Sequence, residues 1–111
     1  MIKIEYAIDR YAMETKRLFS VANNRLGECR YLAGETYTIA DMAAYPWVVP
    51  WERQGQNLDD TPHLKRWLET IAARPAVQRA YARAAEVNTQ QVVSEEARKV
   101  LFGQGAETVK R

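Results

Sequence analysis

Few side chains in this sequence have the chemistry of a reaction centre, and their spacing narrows the choice further. There is one histidine, His63, and one cysteine, Cys29. A nucleophilic site needs a thiol or hydroxyl within hydrogen-bond reach of a base, and no serine or cysteine stands in a pattern that pairs it with His63. His63 falls in the first turn of a predicted helix and reads as a solvated surface side chain. Cys29 has no Cys-x-x-Cys partner to tune its thiol for exchange. One histidine and one cysteine far apart in the chain make no tetrahedral metal site. No glycine-rich loop is present to cradle a phosphate. The expectation is that this stretch carries no catalytic residue and no metal.

What remains is the chemistry of binding. Tyr6, Tyr11, Tyr45, Trp47 and Trp51 either line a pocket for an apolar ligand, with phenol and indole groups as donors, or belong to the core. Arg10 lies near a helix N-terminus, where a positive side chain gains nothing from the helix dipole. It is a candidate for anion contact, or else an exposed arginine on a polar face. Asp41 has a clear local task. Thr38 is a good N-cap, and Asp41 three residues on can accept from the Thr38 N–H, closing a capping box at the positive end of the dipole. Tyr37 and Met42 are placed to staple that helix entry.

The elements that must hold these residues are helices. Ile8, Tyr11, Ala12, Leu18, Phe19, Ala22 and Leu26 recur at spacings of three and four, which predicts a first helix over 4–26, about 30 Å long, with Gly27 as its stop. Residues 30–35 read as a turn. The second helix starts after Thr38 and is apolar most of the way round, as a central helix is. Pro46 and Pro50 remove backbone donors, so a kink near Pro46 and a fading helix by Arg53 are expected, with Trp47 and Trp51 on one face. Residues 54–60 are turn-rich and read as a loop. Thr61 caps a third helix with Pro62 in its first position, and Leu64, Trp67, Leu68, Ile71 and Ala72 form its apolar stripe. Pro75 opens a fourth, in which Val77, Ala80, Tyr81, Ala84 and Ala85 repeat the spacing. Residues 88–93 read as extended, and Ser94 as the cap of a last short helix ending near Gly103. No segment alternates with period two, so the fold class is all-α, with four or five helices.

Composition excludes several classes of function. The 111 residues carry 16 basic and 14 acidic side chains, a net charge of +2 with no basic block. A nucleic-acid interface needs a concentrated basic patch. A lone cysteine forms no internal disulfide and fits a reducing cytoplasm. No apolar run approaches the roughly 20 residues of a membrane span, and no signal-like stretch follows Met1. The expectation is a soluble, cytoplasmic protein without nucleic-acid or membrane partners.

Tyr31-Leu32-Ala33-Gly34 followed by Thr38-Ile39-Ala40-Asp41 resembles the signature of glutathione S-transferase C-terminal domains. Tyr45-Pro46-Trp47 and Arg74-Pro75-Ala76-Val77 look like later landmarks of that family. Tyr6-Ala7-Ile8-Asp9-Arg10-Tyr11 with Tyr45-Pro46-Trp47 is most similar to the bacterial nu class, whose members are glutathione-dependent disulfide-bond reductases. The resemblance implies a glutathione S-transferase C-terminal-like helical bundle over residues 1–103, with 104–111 a flexible tail. It implies that Arg10 helps hold glutathione, with Tyr11, Tyr45, Trp47 and Trp51 beside it, and that Asp41 is a folding determinant.

The family's thioredoxin-like domain, which carries most of the glutathione site, has no counterpart in this sequence, and neither does most of the opening helix of the helical part. Two functions follow as expectations. The chain is the helical part of a glutathione-dependent transferase or disulfide-bond reductase, inactive by itself and completed by a thioredoxin-like domain in trans. Alternatively, it is a stand-alone, non-catalytic binding or dimerisation module. In both, apolar surface on the first helix is covered by homodimerisation.

Overall fold

A computed structural model of the chain describes residues 2–87 and 94–103, so the expectations for residues 88–93 and 104–111 lie outside the described residues. Among the described residues there are five α-helices: α1 (Glu5–Glu28), α2 (Ile39–Val48), α3 (Pro62–Ala72), α4 (Pro75–Val87) and α5 (Glu95–Phe102). A 3-10 turn, Leu58–Asp60, precedes α3. Among the described residues there is no strand, only one isolated bridge between Tyr31 and Gly34. The chain divides into two compact units, one ending at Val77 and one starting at Gln78. Each is described by itself.

The first unit is built on α3. Leu64, Trp67, Leu68 and Ile71 are buried on one stripe of that helix, and Phe19 and Leu26 of α1 with Tyr45 and Val48 of α2 complete the core around them. Burial of such side chains is worth about 1.5–3 kcal/mol each, so this cluster accounts for the unit's cohesion. Ala72, expected on the same stripe, is exposed because the helix ends there.

The helix ends show how the pieces are locked together. Thr61 is the N-cap residue of α3, but its side chain makes no cap hydrogen bond there. Its hydroxyl turns back towards the Leu58 carbonyl at 3.5 Å. Asn23 of α1 does the capping: its Oδ1 accepts from the backbone N–H of His63 at 2.9 Å and of Leu64 at 3.2 Å. In return, Arg66 of α3 donates to the Leu26 carbonyl near the end of α1 at 2.9 Å. Asn23→Ala should cost about 1–2 kcal/mol, the usual value of a lost cap. A shift in the urea midpoint with an unchanged slope would show it.

Gly27 does not stop α1, which continues through Glu28. It serves the packing instead. A Cβ at this position would stand 3.1 Å from Cδ2 of the exposed His63 ring, tighter than ordinary contact.

The apolar stripe of α1 is partly buried among the described residues: Phe19 and Leu26 enter the core, whereas Ile8, Tyr11 and Leu18 are exposed, which is the uncovered apolar surface expected on this helix. One other expectation is corrected. The second helix ends at Val48, well before Arg53, and the chain proceeds through tight turns to Gly55. Pro50 has no N–H to give the Pro46 carbonyl, so the ladder stops there.

In the second unit, no residue of α4 is buried. The Ser94 hydroxyl caps α5, accepting from the Ala97 N–H at 3.2 Å.

Candidate functional site

The capping box at the start of α2 is formed on both sides. The Thr38 hydroxyl accepts from the Ala40 N–H at 3.3 Å, and Asp41 Oδ2 accepts from the Thr38 N–H at 3.0 Å. Asp41 does more than close that box. It is fully buried, and its Oδ1 accepts from the Leu32 N–H at 3.1 Å and from the Trp67 indole Nε1–H at 2.8 Å. One carboxylate thus ties together the turn before α2, the start of α2 and the middle of α3. The turn itself is tight: Tyr31 and Gly34 exchange backbone hydrogen bonds at 2.8 and 3.3 Å, and Gly34 has φ +144°, a conformation that side chains disfavour.

Met42 is half exposed, and Tyr37, expected to staple onto it, is partly buried against the core. Its ring meets Tyr31 edge-on at 5.9 Å, and the Arg74 guanidinium stacks over it at 3.7 Å. A cation over a ring face gains about 0.5–2 kcal/mol, which a local helix-entry pattern gives no hint of.

The five candidate binding residues and Tyr6 do not converge on one pocket. Tyr45 is a core residue, packed edge-to-face on Trp67 with ring centroids 6.0 Å apart. Trp51 leaves the helix and packs part-buried against the core, so it does not share a face with Trp47. Trp47 is 75% exposed and forms one wall of a groove of about 420 Å³ with Leu18, Ala22 and Ala44. Tyr11 is 72% exposed and borders a second hollow of about 330 Å³. Tyr6 is exposed.

Arg10 is exposed on α1, where Glu14 lies 3.8 Å away. Glu14 in turn binds Arg17, and that hydrogen bond, followed by the two positive charges, holds its carboxyl below the usual carboxylate range. Arg10 therefore faces a carboxylate already engaged by another arginine, and most of its own hydrogen-bonding capacity is unspent.

The start of the turn-rich loop at residues 54–60 builds the rim of both hollows. Gln54 donates from Nε2 to the Trp47 carbonyl at 3.0 Å, and Gln56 donates from Nε2 to the Ala12 carbonyl of α1 at 2.9 Å. Backbone bonds from Gln54, Gly55 and Gln56 back to residues 50–52 fold the segment, and Gly55 takes φ +70°. The loop is thereby pinned along α1. The Gln54 Oε1 is buried with no partner among the described residues, a locus of unsatisfied polarity worth about 1–3 kcal/mol. Among the described residues, no group of histidine, cysteine and carboxylate side chains could hold a metal ion. No helix described is long and apolar enough to cross a membrane.

The family model for the glutathione S-transferase C-terminal domain matches residues 5–75. The chain belongs to that family. The match takes in α1, the Asp41-centred junction and α3, the parts that form the first unit's core. Disulfide-bond oxidoreductase YfcG of Escherichia coli strain K12 is 48% identical over 81 residues, which is 73% of this chain and 38% of that protein. Disulfide-bond oxidoreductase YghU of the same organism is 40% identical over 85 residues, 70% of this chain and 30% of the relative. The glutathione S-transferase-like protein tpcF of Aspergillus fumigatus is 32% identical over 93 residues, 72% of this chain and 41% of its own length. The chain thus spans well under half the length of these relatives. The glutathione S-transferase C-terminal fold is here an all-helical bundle, as the motifs imply.

Proposed function

We propose that this glutathione S-transferase C-terminal domain acts as the helical part of a glutathione-dependent disulfide-bond reductase or transferase, with glutathione its thiol substrate. Identity of 48% to a disulfide-bond oxidoreductase is the observation that carries the reading. The described residues supply no nucleophile–base pair, so the thiol chemistry belongs to a thioredoxin-like domain acting with this one, and the chain by itself is inactive. Arg10 contributes one contact to a glutathione carboxylate. Its exposed guanidinium, beside a carboxylate shared with Arg17, is available for that task. Trp47 and Tyr11, both exposed, are the aromatic contacts retained from the candidate set, and the working assembly is a cytoplasmic homodimer.

Calorimetric titration with glutathione and its disulfide tests the reading, repeated with Arg10→Ala. Affinity should fall roughly tenfold in the variant, the value of one lost charge-assisted hydrogen bond. No heat at millimolar ligand would favour the second reading, a non-catalytic binding or dimerisation module. The exposed Leu18 and Trp47 support that alternative, since apolar side chains that share one groove mark a contact surface.

A further inference from the structure

The hollow between α1 and the loop at residues 53–55 carries charge of one sign only. Its lining is Ile8, Tyr11, Ala12 and Thr15 from the helix, with Arg53, Gln54 and Gly55 from the loop. At about 330 Å³ it falls within the range of small-molecule sites. The walls are aliphatic and aromatic, and the single charged side chain is a guanidinium. No carboxylate lines it.

Arg53 is also exceptional among the arginines of the first unit. Arg10 and Arg17 share Glu14, and Arg25 faces Glu28. Arg30 and Arg74 lie over tyrosine rings, and Arg66 is bonded to the Leu26 carbonyl. Arg53 engages no carboxylate, carbonyl or ring among the described residues. Its backbone position is nevertheless well determined, because Gln54 N–H bonds to the Pro50 carbonyl at 3.1 Å and Gly55 N–H to the Glu52 carbonyl at 3.1 Å. The Gln56 side chain clamps the same loop to Ala12. A guanidinium with five donors, no internal partner and a fixed base beside an apolar hollow is arranged to receive a planar oxyanion.

We infer that this hollow is a binding site for a small monocarboxylate with an aromatic or aliphatic body, the carboxylate held by Arg53 and the body laid between Ile8 and Tyr11. The site shares Tyr11 with the contacts proposed above but not Arg10, whose side chain does not line it. Thr15 stays out of the ligand's bonding, since its hydroxyl donates to the Tyr11 carbonyl at 2.8 Å.

Titration with 2-naphthoate and with its neutral analogue 2-naphthamide, followed by calorimetry on the full chain, tests the inference. The wild type should bind the acid roughly tenfold more tightly than the amide, the worth of one charge-assisted pair. Arg53→Gln should erase that preference while Arg10→Gln leaves it intact. Circular dichroism establishes that both variants are folded. Absence of naphthoate binding at millimolar concentration overturns the site, as does an unchanged preference in Arg53→Gln or an equal loss in Arg10→Gln. Because the probe contains no thiol or peptide group, its result is independent of whether glutathione binds.

Discussion

Asp41→Ala should destabilise the first unit by about 4 kcal/mol, a large share of the about 5–15 kcal/mol that a whole domain's stability amounts to. The substitution removes the acceptor for three donors at once: the Thr38 N–H, the Leu32 N–H and the Trp67 indole N–H. Each donor left buried without a partner costs about 1–3 kcal/mol, and the sum is tempered because the turn before α2 can shift to admit water. Thr38→Ala makes the contrast. It deletes only the hydroxyl that accepts from the Ala40 N–H and should cost about 1 kcal/mol. If Asp41 served only the capping box, the two variants would be nearly alike. Urea unfolding followed by tryptophan fluorescence measures both, and equal midpoints would refute the three-way role.

What the sequence made legible follows from how far apart the interacting groups lie. The Thr38–Asp41 capping box could be read because both partners sit within one helical turn. The same Asp41 bonding to Trp67 could not, since nothing local says which distant donor will be folded onto a buried carboxylate. A tryptophan in the apolar stripe of α3 did carry a hint: its N–H must find an acceptor when buried. Asn23 carries no local signal within α1, yet it caps a helix 40 positions away. Thr61 then looked like the cap because the cap position and the capping side chain are usually the same residue.

The misreadings about the candidate site have one physical origin. Periodicity identifies an apolar stripe but is silent on what covers it, so it could not say which members enter the core, as Phe19 and Leu26 do, and which stay exposed, as Ile8, Tyr11 and Leu18 do. Tyr45 and Trp47 are two positions apart on one helix, and a rotation of roughly 200° sends the first into the core and the second to solvent. Arg53 attracted no notice because it stands in a segment without periodicity. Its interest comes from the tertiary hydrogen bonds of Gln54 and Gln56 that fix the loop against α1.

Trp67→Ala should be comparably damaging, at about 3–5 kcal/mol. The indole is 1% exposed, lies at the centre of the α3 stripe and carries the edge-to-face contact with Tyr45. Truncation empties the middle of the core, and Leu64, Leu68 and Ile71 on the same helix cannot collapse into the space without moving the backbone that Asn23 anchors. Trp67→Phe separates packing from polarity. It keeps a ring against Tyr45 but takes away the donor to Asp41 Oδ1, which retains only the Leu32 N–H. That variant should lose about 2 kcal/mol, part from the smaller ring and part from the missing bond. Combining it with Asp41→Asn isolates the second part. The two side chains are in contact, so the double variant should lose less than the sum of the singles by about 0.5–3 kcal/mol. Strict additivity in urea titrations would mean that Trp67 stabilises the core by volume alone, and that the indole–carboxylate bond contributes nothing to joining α2 to α3.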